Sequence, residues 1–110
     1  MWVVYFVQWA TKDGPVKIGA TSEIKSRLRD LQVASPYKLA VVGTIVADGS
    51  KTAHWMERLI HGRLRRLRLH GEWFQDTPLV WEVYEEIKRN GLVAARSALI
   101  RERYSIVDHC

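Results

Sequence analysis

The chain has 110 residues, a formal net charge of +5 and a pI near 9.7. That length holds one domain with a real core and excludes two. A hydrophobic content of 47% with 26% charged residues excludes a disordered chain, and the basic excess favours a polyanionic partner.

Trp2 to Trp9 is dense in Val, Tyr, Phe and Trp and reads as a strand. Apolar residues fall on both of its faces, so it should be central in its sheet. It is far too short to span a bilayer and lacks a basic leader, so no membrane partner is expected and the cytoplasm is the expected location. Cys110 is the only cysteine, which rules out an internal disulfide and gives no sign of an oxidising compartment. Thr11-Lys12-Asp13-Gly14-Pro15 is a turn, and Val16 to Ala20 returns as a second strand.

Thr21 or Ser22 can cap the next helix, whose buried stripe is Ile24, Leu28 and Leu31. Ala34-Ser35-Pro36 ends it, and Leu39 to Val46 forms a third strand. Asp48-Gly49-Ser50 then offers a cap for a long helix from about Thr52 to Leu69. At about 100° per residue, Met56, Leu59, Ile60, Leu64 and Leu67 share its inner side. Glu57, His61 and Arg68 follow one border of that stripe, with His54 just beyond. Gly71 ends the helical region, and Glu72-Trp73-Phe74 is extended. Asp76-Thr77-Pro78 starts another helix with Val80, Val83, Tyr84 and Ile87 inside, Asn90-Gly91 stops it, and a last helix is expected over 92–103. The expected class is α/β, more narrowly α+β: a small mixed three-stranded sheet flanked by helices. The order is strand, strand, helix, strand, helix, followed by two C-terminal helices. One domain spans 1–110, with a core at about 2–76 and a helical extension at about 77–104.

Several polar residues stand out by their order: Tyr5 in Val4-Tyr5-Phe6, Lys17 in Val16-Lys17-Ile18-Gly19, Arg27 ten residues after Lys17, Glu57, and Gly71-Glu72-Trp73-Phe74. Taken singly, each has an ordinary reading. Tyr5 would fill the core, Lys17 would be a solvated hairpin lysine, and Arg27 and Glu57 would be solvated helix residues. As an ordered set they resemble the GIY-YIG nuclease superfamily. The likeness is greatest to its phage and bacterial branch, whose second half-motif reads Val-Lys-Ile-Gly and whose helical half closes with Gly-Glu-Trp-Phe. It covers roughly residues 2 to 76.

The resemblance implies a metal-dependent endonuclease acting on DNA, with RNA the second choice. Cleaving a phosphodiester needs an attacking water, a group to handle its proton, charge stabilisation on the phosphate and help for the leaving oxygen. Tyr5 is implied as the base or water-positioner, with Lys17 expected to favour its ionised form. Lys17 stands where many members have a second tyrosine, and it can accept a proton or hold phosphate. Arg27 is implied at the scissile phosphate. Glu57 matches the family's lone metal-binding glutamate, which suits Mg²⁺, with Mn²⁺ as a substitute. Leu31 stands where classical members often have a histidine.

His54, Glu57 and His61 share one helix flank, but their spacing is not that of a zinc protease, and His61 reads better as support or a phosphate contact. Arg63, Arg65, Arg66 and Arg68 form a basic run that Lys38, Lys51 and Arg58 extend; with His61, residues Arg58, Arg65 and Arg68 are the expected nucleic-acid contacts. Gly71-Glu72-Trp73-Phe74 is expected to be structural, and for the downstream asparagine that some members of the superfamily place near the metal Gln75 or Glu72 are only guesses. Two rivals stand beside the nuclease reading: a non-catalytic nucleic-acid-binding module of the same fold, and a module that docks a protein partner or forms a homodimer.

Overall fold

A computed structural model describes residues 1–90 and shows an α+β domain built on one five-stranded sheet. The strands are β1 (Trp2–Trp9), β2 (Val16–Thr21), β3 (Leu39–Ala47), β4 (Arg68–His70) and β5 (Trp73–Phe74). The helices are α1 (Ile24–Val33), α2 (Ser50–Arg63) and α3, which covers 78–90. A short 3-10 turn, Arg65–Leu67, joins α2 to β4. The helix expected over 92–103 lies outside the described residues.

The sheet order is β3-β1-β2-β5-β4 and every pairing is antiparallel. This corrects the expected three-stranded mixed sheet in two ways. First, α1 returns the chain so that β3 runs in the direction of β2, but β1 lies between them, so no two parallel strands are neighbours. Second, the segment after α2 is a hairpin that adds β5 and β4 to the far side of β2. Gly71 makes that hairpin possible, because its φ of 57° lies in the left-handed region that a side chain disfavours.

The expected helix over 52–69 also ends early, at Arg63. Leu64 and Leu67 are three residues apart, a spacing that a 3-10 turn satisfies as well as an α-helix. The Leu67 N–H donates to the Leu64 carbonyl at 2.8 Å, and Arg68 then turns extended. The basic run is therefore split between the end of α2, the 3-10 turn and β4, rather than presented on one helix face.

Alternation along β1 sends Val4 and Phe6 to one face of the sheet and Tyr5 and Val7 to the other. On the first face, Met56, Ile60 and Leu64 of the α2 region and Val80, Val83 and Ile87 of α3 close the main core. The core thus includes the helix that begins at Pro78. On the second face, Ile24, Leu28 and Leu31 of α1 cover Tyr5, Val7 and Leu39 more loosely, and no residue of α1 is fully buried. The loose side carries Tyr5, Lys17 and Arg27.

Candidate active site

Tyr5 pairs across the ladder with Gly19, and Val7 with Lys17, so all four share the α1 face of the sheet. Tyr5 is only 1% exposed. Its phenol lies across Gly19 so closely that a Cβ there would sit 2.4 Å from the hydroxyl oxygen. Glycine at this position is the condition for the phenol to reach the open end of β2. Lys17 pairs with Trp73, and its Nζ lies 5.4 Å from the centroid of that ring, so Trp73 forms a wall of the same site.

β5 covers β2 only at Val16 and Lys17. Ile18 is shared between two other partners: its N–H donates to the Glu72 carbonyl at 3.0 Å, and its carbonyl lies 2.8 Å from His61 Nε2. A carbonyl can only accept, so Nε2 carries a hydrogen and donates it. His61 thus takes the place of a strand partner where β5 has ended. It carries the border of α2 to the edge of β2 and brings Glu57 with it.

One ligand atom from each of Glu57, His61 and Glu72 lies within 4.8 Å of the other two. Lys17 Nζ is 3.4 Å from Glu72 Oε1, and His61 Nε2 is 3.9 Å from Glu57 Oε1. Arg27 is exposed on α1, beside the half-buried Leu28, and its charge acts on both Tyr5 and Glu57. The structure therefore brings Tyr5, Lys17, Arg27, Glu57 and His61 together. It adds Glu72, which the sequence reading placed in a structural tetrapeptide. Beyond its place in Gly-Glu-Trp-Phe, the one signal for Glu72 was the downstream asparagine that some GIY-YIG members place near the metal, for which Gln75 and Glu72 were only guesses.

His54 does not join this cluster. Its Nδ1 lies 2.8 Å from the Ser50 carbonyl and its ring packs on Trp2. Arg58 and Arg65 are exposed, whereas the Arg68 Nε–H donates to the Gly71 carbonyl at 2.7 Å. Arg63 is tied to Glu86 at 2.6 Å. A separate groove beyond the hairpin, lined by Asp13, Pro15, Leu69, Gln75, Asp76 and Thr77, contains none of the site residues.

Burial, together with the hydrogen bond and negative charge of Glu72, pushes the Glu57 carboxyl up to about 8, against the pull of Lys17 and Arg27. Burial pushes Glu72 the same way, but the bond from Glu57 and the charges of Lys17 and His61 outweigh it and hold Glu72 below the usual carboxylate range. At neutral pH the pair therefore shares one proton. Tyr5 is pushed up to about 12, first by burial and then by Glu72 and Glu57, with Arg27 opposing. Burial and the two glutamates thus oppose the ionised phenol that a lysine field was expected to favour.

The Glu57 shift fixes the sign of a pH effect. A carboxyl raised from 4.5 to about 8 on folding contributes stability below its unfolded value and loses it as pH rises through the folded one. In EDTA, the melting temperature is expected to be lower at pH 8.5 than at pH 6. Circular dichroism melts of wild type and Glu57→Gln check this, since the variant should lose the decline across that window.

Two carboxylates sharing a proton, at a cleft lined by a lysine and an arginine, are a donor set that suits a hard divalent cation in the proton's place. Among the described residues, no helix is long and apolar enough to cross a membrane. No curated protein and no solved structure matches the chain. The T5orf172 domain model matches residues 3–90, from the second residue of β1 to the last described residue of α3. That match covers most of the chain and all three layers of the fold, so the chain belongs to the T5orf172 domain family, a phage-associated, nuclease-like family related to GIY-YIG-like and HNH-like endonucleases.

Proposed function

We propose that this protein is a GIY-YIG-type endonuclease that hydrolyses phosphodiester bonds in DNA with the help of Mg²⁺, for which Mn²⁺ can substitute. The observation that carries this reading is the convergence of a phenol, a lysine, an arginine and a carboxylate pair at the open end of β2. Family membership adds weight, because T5orf172 is nuclease-like and suggests a nucleic-acid partner.

Glu57 would hold the cation, which when bound would polarise the scissile phosphate and ease departure of the leaving oxygen. Arg27, exposed on α1, can turn its fork to the non-bridging oxygens and meet charge that grows in the transition state. The Tyr5 phenol, fixed across Gly19, positions the attacking water, whose proton passes to solvent as its oxygen attacks phosphorus. Lys17, held between Glu72 and Trp73, supplies positive charge beside that water. The His61 Nε2–H keeps α2 locked to the β2 edge, so Glu57 stays in place. Arg58 and Arg65 serve as phosphate contacts that carry no sequence information.

The experiment is cleavage of plasmid and single-stranded DNA by wild type and Arg27→Ala in Mg²⁺ and in Mn²⁺. Wild type should cut, and Arg27→Ala should be slower by about 10² to 10³-fold, as for loss of one transition-state donor. Binding measured by fluorescence anisotropy should weaken with salt, at a slope of about −0.9 per phosphate neutralised. Tight binding without cutting, across both metals and both substrates, would overturn the nuclease reading and leave a nucleic-acid-binding module.

A further inference from the structure

We propose that Glu72 is a second carboxylate ligand for the same divalent cation as Glu57, so that this site binds the ion through two protein carboxylates before any nucleic acid arrives. The inference rests on the nuclease reading above, and it departs from the single glutamate that the sequence resemblance implied.

Three observations support it. The first is proximity: the Glu57 and Glu72 carboxylates and the His61 ring all offer atoms within 4.8 Å of one another. Two oxygens about 2.0–2.1 Å from one Mg²⁺ are at most twice that distance apart, so small side-chain adjustments bring both onto one ion. The second is elimination. His61 Nε2, the nitrogen 3.9 Å from Glu57, spends its hydrogen on the Ile18 carbonyl, so that atom has no lone pair to give a cation, whereas both carboxylates do.

The third is rigidity. Glu72 sits in a hairpin fixed on both sides, by Gly71 in the left-handed region before it and by Trp73 and Phe74 paired with β2 after it. Its own carbonyl accepts the Ile18 N–H at 3.0 Å. Its side chain is therefore delivered to Glu57 by a backbone with little freedom to withdraw, the condition for a preorganised ligand. In the metal-free state Lys17 provides the positive partner, 3.4 Å from Glu72. A cation on that carboxylate would free the Lys17 ammonium from it.

The test is a Mn²⁺ titration of the free protein, followed by the electron paramagnetic resonance signal of unbound Mn²⁺, for wild type, Glu57→Gln and Glu72→Gln. Wild type should bind one ion without DNA. Each variant should bind at least about tenfold more weakly. The loss should persist at roughly 0.5 M KCl, where a purely long-range charge effect is screened out. Circular dichroism in EDTA should show both variants folded.

Glu72→Gln binding Mn²⁺ as tightly as wild type, with Glu57→Gln impaired, would overturn the inference and leave Glu72 as a residue that positions Lys17. A Glu72→Gln defect that vanishes in high salt would overturn it too. Neither result would touch the nuclease reading, which stands or falls on cleavage by wild type. Wild type that binds no Mn²⁺ in the free state overturns the inference, and if it also cuts nothing in Mg²⁺ or Mn²⁺ the nuclease reading falls with it.

Discussion

Glu57→Gln is expected to reduce Mg²⁺-dependent cleavage by about a thousandfold, roughly 4 kcal/mol of transition-state stabilisation, while the domain stays folded. The two halves of this expectation share one cause. Glu57 is half-buried against Glu72, and its carboxyl holds a proton well above the usual pH, up to about 8. Glutamine has the same shape and can donate from its amide where the protonated acid donates, so the metal-free fold loses nothing. At pH 8.5 in EDTA it should melt no lower than wild type, because the cost of ionising a buried carboxyl is gone. Catalysis needs the ionised form, and an amide cannot supply that charge. Plasmid cleavage rates beside melts in EDTA separate the effects. Unchanged cleavage would remove the metal assignment, and lost cleavage with a melted fold would make Glu57 a structural residue instead.

The parts of this fold that could be read in advance are those with long patterns. β1 has eight residues of strand-forming side chains, and the inner faces of α2 and α3 repeat at helical spacing, so each element announces itself locally. The β4–β5 hairpin does not. Its strands have three and two residues, too few for an alternation, and their pairing depends on the free edge of β2, some fifty residues earlier in the chain. The leucines that continue past Arg63 hid the end of α2, since a 3-10 turn uses the same three-residue step. Strand order was equally hidden, because periodicity tells which residues face the core but not which strand lies beside which.

The site divides along the same line. Tyr5, Lys17, Arg27 and Glu57 could be named from spacing and resemblance, because each occupies a fixed place on a long element. Glu72 could only be guessed at, beside Gln75, because its direction is set by a turn at Gly71 and by a backbone bond to Ile18. The electrostatics were hidden for a further reason. Lysine beside tyrosine in a motif suggests a lowered phenol, but the ring is buried and faces two carboxylates, and these outweigh Arg27. Depth in the fold decides that sign, and depth is a property of the packed molecule.

Gly19→Ala should strike both stability and chemistry. A Cβ at this position would lie 2.4 Å from the Tyr5 hydroxyl oxygen and 2.6 Å from Cζ, so something must move. The ring has little freedom to do so. Tyr5 is 1% exposed, packed with Val7 and Leu39, and directly paired with Gly19 across the ladder. Either the phenol leaves its position or the two strands separate locally. Overpacking of this kind costs about 1–3 kcal/mol, and a misplacement near 1 Å at a reacting centre can cost about 10²-fold in rate. Tyr5→Phe is the matching control. It removes the hydroxyl, keeps the packing of the ring, and should lower cleavage with little loss in urea denaturation. Gly19→Ala with a full cleavage rate would show that the phenol's placement is immaterial, and Tyr5 would then return to the role of a core aromatic.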